Sequence, residues 1–218
     1  MANASTTGFG LRMGMRLGNN PAISGQSKYA IKSGLGVGIF KGNPASIQLA
    51  GDTGYIQDSG FSTTDDGNDG GIDFTTANDA LLVGVHNGVF FINSTTSKPT
   101  FANSVAAATT FGTNPNTNST DGVAFVNDDP TQEYIVKTDG ACPQTIFGLS
   151  GNMNDFDGTG KNGQSTTTFD VGAQAVTKMF TVVRSAEDPE NEDLTAAGSN
   201  IIVVVNGAAN LYINGRDA

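Results

Sequence analysis

The sequence contains no tryptophan, one cysteine and one histidine among its 218 residues. A single thiol, Cys142, cannot form an intrachain disulfide or a sulfur-rich metal site, so we expect it to be a small buried side chain. A serine or cysteine nucleophile needs a nearby base, and His86 is the only histidine. Because the residues for such chemistry are almost absent, we expect no enzyme and no cofactor.

Basic residues and long apolar runs are also scarce. Lysine and arginine together number 11, against 21 aspartates and glutamates, which gives a formal net charge of −10 at pH 7. A protein with this negative net charge repels the phosphate backbone of nucleic acids, so we expect no nucleic-acid partner. No apolar run reaches the ~18 residues of a membrane-spanning helix, and residues 1–20 lack the apolar core of a signal peptide. We therefore expect no membrane partner.

Strong helix formers are few, whereas the 29 glycines and many β-branched residues favour turns and strands. Short apolar stretches separated by turn-forming residues are typical of an antiparallel β-barrel or β-sandwich. We therefore predict an all-β fold. An extended N-terminal arm over residues 1–27 is expected to precede a β-domain over residues 28–218, with long polar loops near 61–80, 94–121 and 186–200.

Two β-hairpins are predicted. In residues 80–93, Asn87-Gly88 is a dipeptide favoured in type I′ turns, so two strands should meet there. His86 immediately precedes that turn and is expected to be an exposed residue at a strand end. Residues 121–126 and 132–138 should form the second hairpin. Further strands are expected at 27–31, 36–40, 45–49, 54–58, 144–150, 165–172, 177–185, 200–207 and 209–214.

Apolar residues alternate strictly with glycine or arginine from Phe9 to Leu17. A period of two predicts an extended segment with one apolar face. Two interpretations are open: the segment lies in a groove on a partner, or it forms an edge strand of the protein's own sheet. On the first interpretation, the residues that contact the partner are Phe9, Leu11, Arg12, Met13, Met15, Arg16 and Leu17.

The stretch Asp155-Phe156-Asp157-Gly158-Thr159 resembles the catalytic loop of haloacid-dehalogenase-type phosphatases. In that loop Asp155 would be the nucleophile and Asp157 the general acid, placed between a buried strand and a helix. The flanking residues 151–154 and 160–164 are mostly turn formers and supply neither element. We therefore expect a polar turn at this position and no phosphatase activity.

Acidic and amide side chains crowd the segments 65–69, 152–157 and 187–193. The first two segments lack the glutamate that a helix-loop-helix calcium site needs at its twelfth position. We expect no metal, but an irregular calcium site stays open as an alternative, with Asp155 and Asp157 as its candidate ligands.

Several short motifs follow one another along the chain: residues 7–12 (TGFGLR), 28–31 (KYAI), 39–45 (IFKGNPA), 126–136 (VNDDPTQEYIV), and Val183-Arg184 followed by an acidic loop and the strand 201–206. In order and character they resemble the capsid decoration, or cement, proteins of tailed bacteriophages, as in phages of cyanobacteria and other marine bacteria. Asn43 departs from the acid usual in that family, and the 94–121 loop is long.

The resemblance implies a non-enzymatic β-domain of the virion that binds the outer surface of the assembled capsid. The protein would be made in the host cytoplasm. Its partner would be the major capsid protein, whose subunits it would bridge. Because symmetric shells offer threefold and twofold sites, we expect a homo-oligomer, either a trimer or a dimer. The alternative is a β-sandwich surface protein that binds calcium or carbohydrate through its acidic loops.

Overall fold

The computed structural model describes residues 3–18, 21, 25–48, 54–58, 82–154, 161–172 and 174–214. These residues form antiparallel sheets packed as a sandwich, which confirms the predicted all-β class. The strands are β1 Arg12–Arg16, β2 Ser27–Ile31, β3 Ile39–Phe40, β4 Pro44–Ile47, β5 Ile56–Asp58, β6 Leu82–Ile92, β7 Pro99–Ala102, β8 Ser104–Val105, β9 Gly122–Asn127, β10 Gln132–Lys137, β11 Ser150–Gly151, β12 Met153–Asn154, β13 Thr168–Phe169, β14 Phe180–Ser185 and β15 Asn200–Val205. Short 3₁₀ turns occupy Gln144–Ile146, Lys161–Gly163 and Gly207–Ala209, and helix α1 spans Leu211–Asn214.

Two larger sheets carry the described part of the fold. One has five strands in the order β1-β10-β15-β14-β11. The other has the order β2-β9-β6-β4-β5, and β7 pairs with the second half of β6. The short ribbons β3–β8 and β12–β13 lie outside these two sheets. The predicted loop 61–80 falls outside the described residues.

Buried apolar side chains form two clusters. The larger combines Tyr134, Phe180 and Ile201 of the five-stranded sheet with Leu82 and Val85 of β6, so it joins the two sheets. Tyr134 and Phe180 meet edge to face, with 6.4 Å between ring centroids. The smaller cluster joins the second sheet to the β3–β8 ribbon, and its buried members are Ile31, Ile39, Ala45, Ile56, Val83, Val89, Val105, Phe111, Ala124 and Val126.

An ion pair between a buried carboxylate and a partly exposed guanidinium adds to the packing of the five-stranded sheet. Glu133 on β10 is fully buried, and its carboxylate accepts two hydrogen bonds from the Arg184 guanidinium on β14, at 2.8 and 2.6 Å. This carboxylate raises the pKa of Arg184. Because β15 lies between β10 and β14, the pair links three adjacent strands.

Residues 82–92 form the single strand β6, so the predicted hairpin over residues 80–93 is wrong. The Asn87-Gly88 dipeptide forms a β-bulge, since the register against β9 shifts between His86 and Gly88. Gly88 has a φ of +149°, a backbone conformation that favours glycine. The same dipeptide that favours a tight turn therefore serves here as an irregularity within a continuous strand.

The second predicted hairpin is also wrong, because its two strands belong to different sheets. β9 pairs with β2 and β6, whereas β10 pairs with β1 and β15. The connection is held by Asp129, which accepts a hydrogen bond from Thr131 N at 2.8 Å and lies 2.8 Å from the Arg16 guanidinium. The chain therefore crosses between the sheets at this point.

Three further segments differ from prediction. The expected loop 94–121 contains the short strands β7 and β8. Residues 144–150 form mainly a 3₁₀ turn, and residues 209–214 end in helix α1. Asn210 caps that helix, because its Oδ1 accepts hydrogen bonds from Tyr212 N at 2.9 Å and Ile213 N at 3.2 Å. No helix among the described residues is long and apolar enough to span a membrane.

Candidate functional site

The N-terminal segment lies on the sandwich as an edge strand. β1 pairs with β10 on one side, and no described strand lies on its other side. The pairing is interrupted between Met13 and Arg16, where the buried Gln132 side chain donates to Gly14 O at 3.0 Å and Met15 O at 2.9 Å. Of the two interpretations of this segment, the structure shows the edge strand.

Part of this segment faces inward. Leu11 is 4% exposed and belongs to the larger core cluster, and Met13 packs partly buried against it. The Arg12 guanidinium lies over the Phe9 ring, 4.0 Å from its centroid. Removal of residues 1–27 would therefore take away a strand and a core side chain of the sandwich.

The remaining candidate contact residues face outward. Met15 is 55% exposed and Leu17 is 49% exposed. Arg16 is engaged in its ion pair with Asp129. The apolar surface that β1 and the residue after it offer to a partner therefore consists of Met15 and Leu17.

The residues before β1 run along the acidic loop that precedes β15. Asn3 Nδ2 donates to Ala197 O at 2.9 Å, and Asn3 Oδ1 accepts from Asp193 N at 3.0 Å. Gly198 has a φ of +85°, and a Cβ added there would lie 2.5 Å from Ser5 O. Only glycine fits this position without strain, and the close approach fixes Ser5 against the loop.

Lys137, at the end of β10, lies beneath this N-terminal segment and is 3% exposed. Its Nζ donates to three neutral oxygens: Ser5 O at 2.8 Å, Asn191 Oδ1 at 3.2 Å and Gly198 O at 3.3 Å. No carboxylate of the described residues forms an ion pair with it. Burial lowers the pKa of the Lys137 amine, and the charge of Asp188 opposes part of that effect.

The Asn191 side chain completes this buried site. Its Oδ1 accepts hydrogen bonds from Lys137 Nζ and, at 3.3 Å, from Ser5 N, while its Nδ2 donates to Asp188 Oδ2 at 3.2 Å. Hydrogen bonds to the carboxylate, first of all from Glu190 N, lower the pKa of Asp188. An amine, a side-chain amide, a backbone N–H and a carboxylate thus meet at one point.

The acidic loop shows no cation site in its described part. Asp193 Oδ1 accepts from Thr195 N at 3.0 Å and from Thr195 Oγ1 at 2.6 Å, so this carboxylate stabilises a turn. No group of three histidine, cysteine, aspartate or glutamate residues in the described ranges is arranged to hold a metal ion. Asp155 and Asp157 lie outside those ranges, so the calcium alternative stays a prediction.

His86 is 1% exposed, so the expectation of an exposed strand end is wrong. It lies in the middle of β6 beside the bulge, where neighbouring strands cover it. Its Nε2 lies 3.2 Å from Gln57 O, and burial lowers its pKa to about 4. Cys142 is buried as predicted, and burial raises the pKa of its thiol to about 11. At neutral pH the imidazole is therefore uncharged and the thiol is protonated.

A second candidate site is an open groove of about 540 Å³ next to the bulge in β6. Its most exposed wall is Phe101, whose side chain is 73% exposed. The Phe101 ring lies 4.7 Å from the Phe90 ring and 6.4 Å from the Phe125 ring, measured between centroids. Gly88 lies on β6, two residues before Phe90 and opposite Phe125 of β9, and its lack of a side chain leaves the floor of the groove open.

Amide side chains surround this aromatic floor. Gln26, Asn87 and Asn103 line the groove, and Asn87 Nδ2 donates to Gln26 Oε1 at 2.9 Å. That bond leaves the Asn87 carbonyl and the Gln26 amino group for a ligand. All described lining residues are uncharged, so the groove fits a neutral ligand with hydroxyl groups and an apolar face.

The sequence predicted neither the buried site around Lys137 nor the groove beside Phe101, for different reasons. Lys137 lies 54 residues from Asn191 and 132 from Ser5, so no local spacing reveals their contact. Phe101 did give a signal, because it is an aromatic residue in a stretch that otherwise looks like a polar loop. The strand pairing that places it beside Phe90 was not predictable.

No family model matches the chain, and neither a curated protein nor a solved structure matches it. Function must therefore be inferred from the residues and their geometry.

Proposed function

We propose that this chain is a virion structural protein that binds the outside of an assembled capsid shell and bridges major capsid protein subunits. The observation that carries the proposal is the outer side of β1, which has no described neighbouring strand. The exposed side chains of Met15, on β1, and of Leu17, directly after it, lie beside this edge. The ordered motifs that resemble capsid decoration proteins support the same proposal.

An open edge strand can accept a further strand from a partner through main-chain hydrogen bonds. Soluble proteins usually protect such edges, because an unprotected edge leads to unwanted pairing. Here the edge carries two exposed apolar side chains and the exposed Arg12, on a protein whose net charge is −10. This combination favours an extended partner segment with apolar and acidic residues.

A protein that reinforces a shell must hold its contact surface rigid. The described part of the N-terminal segment is fixed by the Leu11 side chain in the core, by Gln132 where the β1–β10 pairing is interrupted, and by the contact of Asn3 with the acidic loop. The edge is therefore preorganised, which lowers the entropy lost on binding. Self-association as a trimer or dimer at the symmetric positions of the shell belongs to the same proposal.

Co-sedimentation with shells of the major capsid protein tests the proposal. The wild-type chain is expected to sediment with the shells. The double variant Met15→Glu/Leu17→Glu should bind at least about tenfold more weakly, because it places two charges at the contact while leaving Leu11 in the core. Val176→Glu is the matched control, since Val176 is 84% exposed and lies far along the chain from β1.

Equal binding by the double variant and the control would remove β1 from the mechanism. Absence of binding by the wild-type chain to shells of its own virus would reject the proposed function itself. Far-UV circular dichroism of each variant separates loss of binding from loss of folding.

Saccharide binding is a second candidate function, favoured by the groove beside Phe101. Exposed aromatic rings pack against the apolar faces of sugar rings, and neighbouring amides bind their hydroxyl groups. Neutral oligosaccharides should shift the amide NMR signals of Gly88, Ala102 and Phe125, and Phe101→Ala should abolish the shifts. An unchanged spectrum at millimolar neutral sugar would reject this function.

A further inference from the structure

The contact between Lys137 and Asn191 is unusual for a buried lysine. Buried charged side chains are normally paired with an opposite charge, because desolvating an unpaired charge is costly. The amine of Lys137 is instead surrounded by neutral oxygens, and its Nζ lies 3.2 Å from Asn191 Oδ1. The environment therefore favours the uncharged amine, which is the nucleophilic form.

We propose that Lys137 and Asn191 form an intramolecular isopeptide bond, in which Lys137 Nζ replaces the amide nitrogen of Asn191 and ammonia is released. This covalent link does not depend on the proposed function.

The surrounding groups match the needs of this reaction. The reacting groups are already in contact, which removes most of the entropic cost of bringing them together. Ser5 N donates to Asn191 Oδ1 at 3.3 Å and would stabilise negative charge that develops on that oxygen. Asp188 Oδ2 accepts a hydrogen bond from the leaving Nδ2 at 3.2 Å and is placed to transfer a proton to it.

The step balances without any further reactant. Once its ammonium proton has passed to solvent, Lys137 Nζ attacks Cγ of Asn191, a new Nζ–Cγ bond forms, and the carbonyl electrons move onto Oδ1. Nζ then loses one proton to solvent, while Asp188 Oδ2 takes up one proton from solvent and passes it to Nδ2, with which it is hydrogen-bonded. The Cγ–Nδ2 bond breaks, the carbonyl re-forms, and ammonia leaves.

The bond would fix two elements that are far apart in sequence. It would join the end of β10 to the acidic loop, closing a loop of the 54 residue positions that separate Lys137 from Asn191. Residues 3–5 lie on this loop, so the base of the N-terminal segment would be secured as well. A cross-link of this kind resists unfolding by limiting the freedom of the unfolded chain.

Mass spectrometry of the purified full chain tests the proposal directly. Bond formation removes one ammonia, so the intact mass should be about 17 Da below the value for the sequence. Trypsin should fail to cut after Lys137, and it does not cut the Lys98–Pro99 bond because proline follows that lysine. The digest should therefore contain residues 42–161 joined to residues 185–216. Fragmentation of that branched peptide would place the link at Lys137 and Asn191.

Variants identify the groups that carry out the reaction. Lys137→Arg and Asn191→Ala should restore the full mass, and Asp188→Asn should slow the mass loss at least about tenfold. Lys98→Arg is the matched control and should retain the branched peptide. A wild-type chain of full mass, cut after Lys137 even after prolonged incubation of the folded protein, would overturn the proposal. If ammonia is lost but trypsin still cuts after Lys137, the loss comes from an asparagine that reacted without Lys137. That result would also overturn the proposal.

Discussion

Replacement of Leu11 by alanine tests how firmly the N-terminal segment belongs to the sandwich. The Leu11 side chain is 4% exposed and packs in the larger core cluster. The change removes about three buried carbon groups at about 0.8 kcal/mol each, or about 2.4 kcal/mol, before any cavity is counted. Leucine-to-alanine changes in cores cost about 2–5 kcal/mol, so we expect a loss of about 3 kcal/mol in the free energy of unfolding.

The assay is urea unfolding followed by circular dichroism and by tyrosine fluorescence. In a chain of this size about 3 kcal/mol corresponds to a fall in Tm of about 6–12 °C. Met15→Ala is the control, since Met15 lies in the same N-terminal segment and is 55% exposed; its effect should stay within about 0.5 kcal/mol. If Leu11→Ala also stays within about 0.5 kcal/mol, the segment does not pack on the core.

Two further predictions follow from buried ionisable side chains. The folded chain keeps His86 neutral with a pKa of about 4, whereas the ordinary value is 6.5, so unfolding takes up a proton between these values and stability falls as the pH drops through that window. Unfolding curves at successive pH values should show a loss of up to about 3 kcal/mol in the free energy of unfolding, and this loss should be absent in His86→Gln. An equal pH dependence of stability in the two proteins would contradict the burial of His86. Arg184→Met should lower the free energy of unfolding by about 3 kcal/mol, because it leaves the buried Glu133 carboxylate unpaired. The double variant Glu133→Leu/Arg184→Met should recover most of that stability. A double variant as unstable as the single one would show that the unpaired charge is not the cause.

The strands that the sequence predicted well are those whose apolar pattern agrees with their final environment. Residues 200–207 read as a buried strand because of their continuous apolar run, and β15 lies in the centre of the five-stranded sheet. Residues 27–31 were placed correctly for a similar reason, since alternation matches a strand with one covered face. Local pattern was sufficient wherever no choice of partner strand was involved.

The errors arose where local pattern allows two long-range outcomes. Asn87-Gly88 satisfies the backbone needs of a turn and of a bulge, and pairing with β9 decides between them. The short connection before Gln132 could close a hairpin, but the contacts of Asp129 with Thr131 and Arg16 direct the chain to the other sheet. The burial of His86 follows from the first of these choices, so it could not be predicted separately.

The candidate sites were still less accessible to sequence reasoning. The sequence predicts that Phe9 to Leu17 form an extended segment, which is either a partner contact or an edge strand. The division of this segment into the buried Leu11 and the exposed Met15 and Leu17 depends on pairing with β10. The Lys137–Asn191 contact depends on a loop whose position is set by residues 3–5. Such contacts belong to the assembled fold and leave no periodic signal in the chain.

A cryo-EM reconstruction of the phage virion to which the proposed function assigns this chain tests the central proposal most directly. We predict density for this sandwich at regular positions on the outer surface of the capsid, with β1 turned toward the shell and Met15 and Leu17 at the contact. A virion whose capsid surface lacks the chain, or one that carries it only inside the shell or in the tail, would contradict the proposed function.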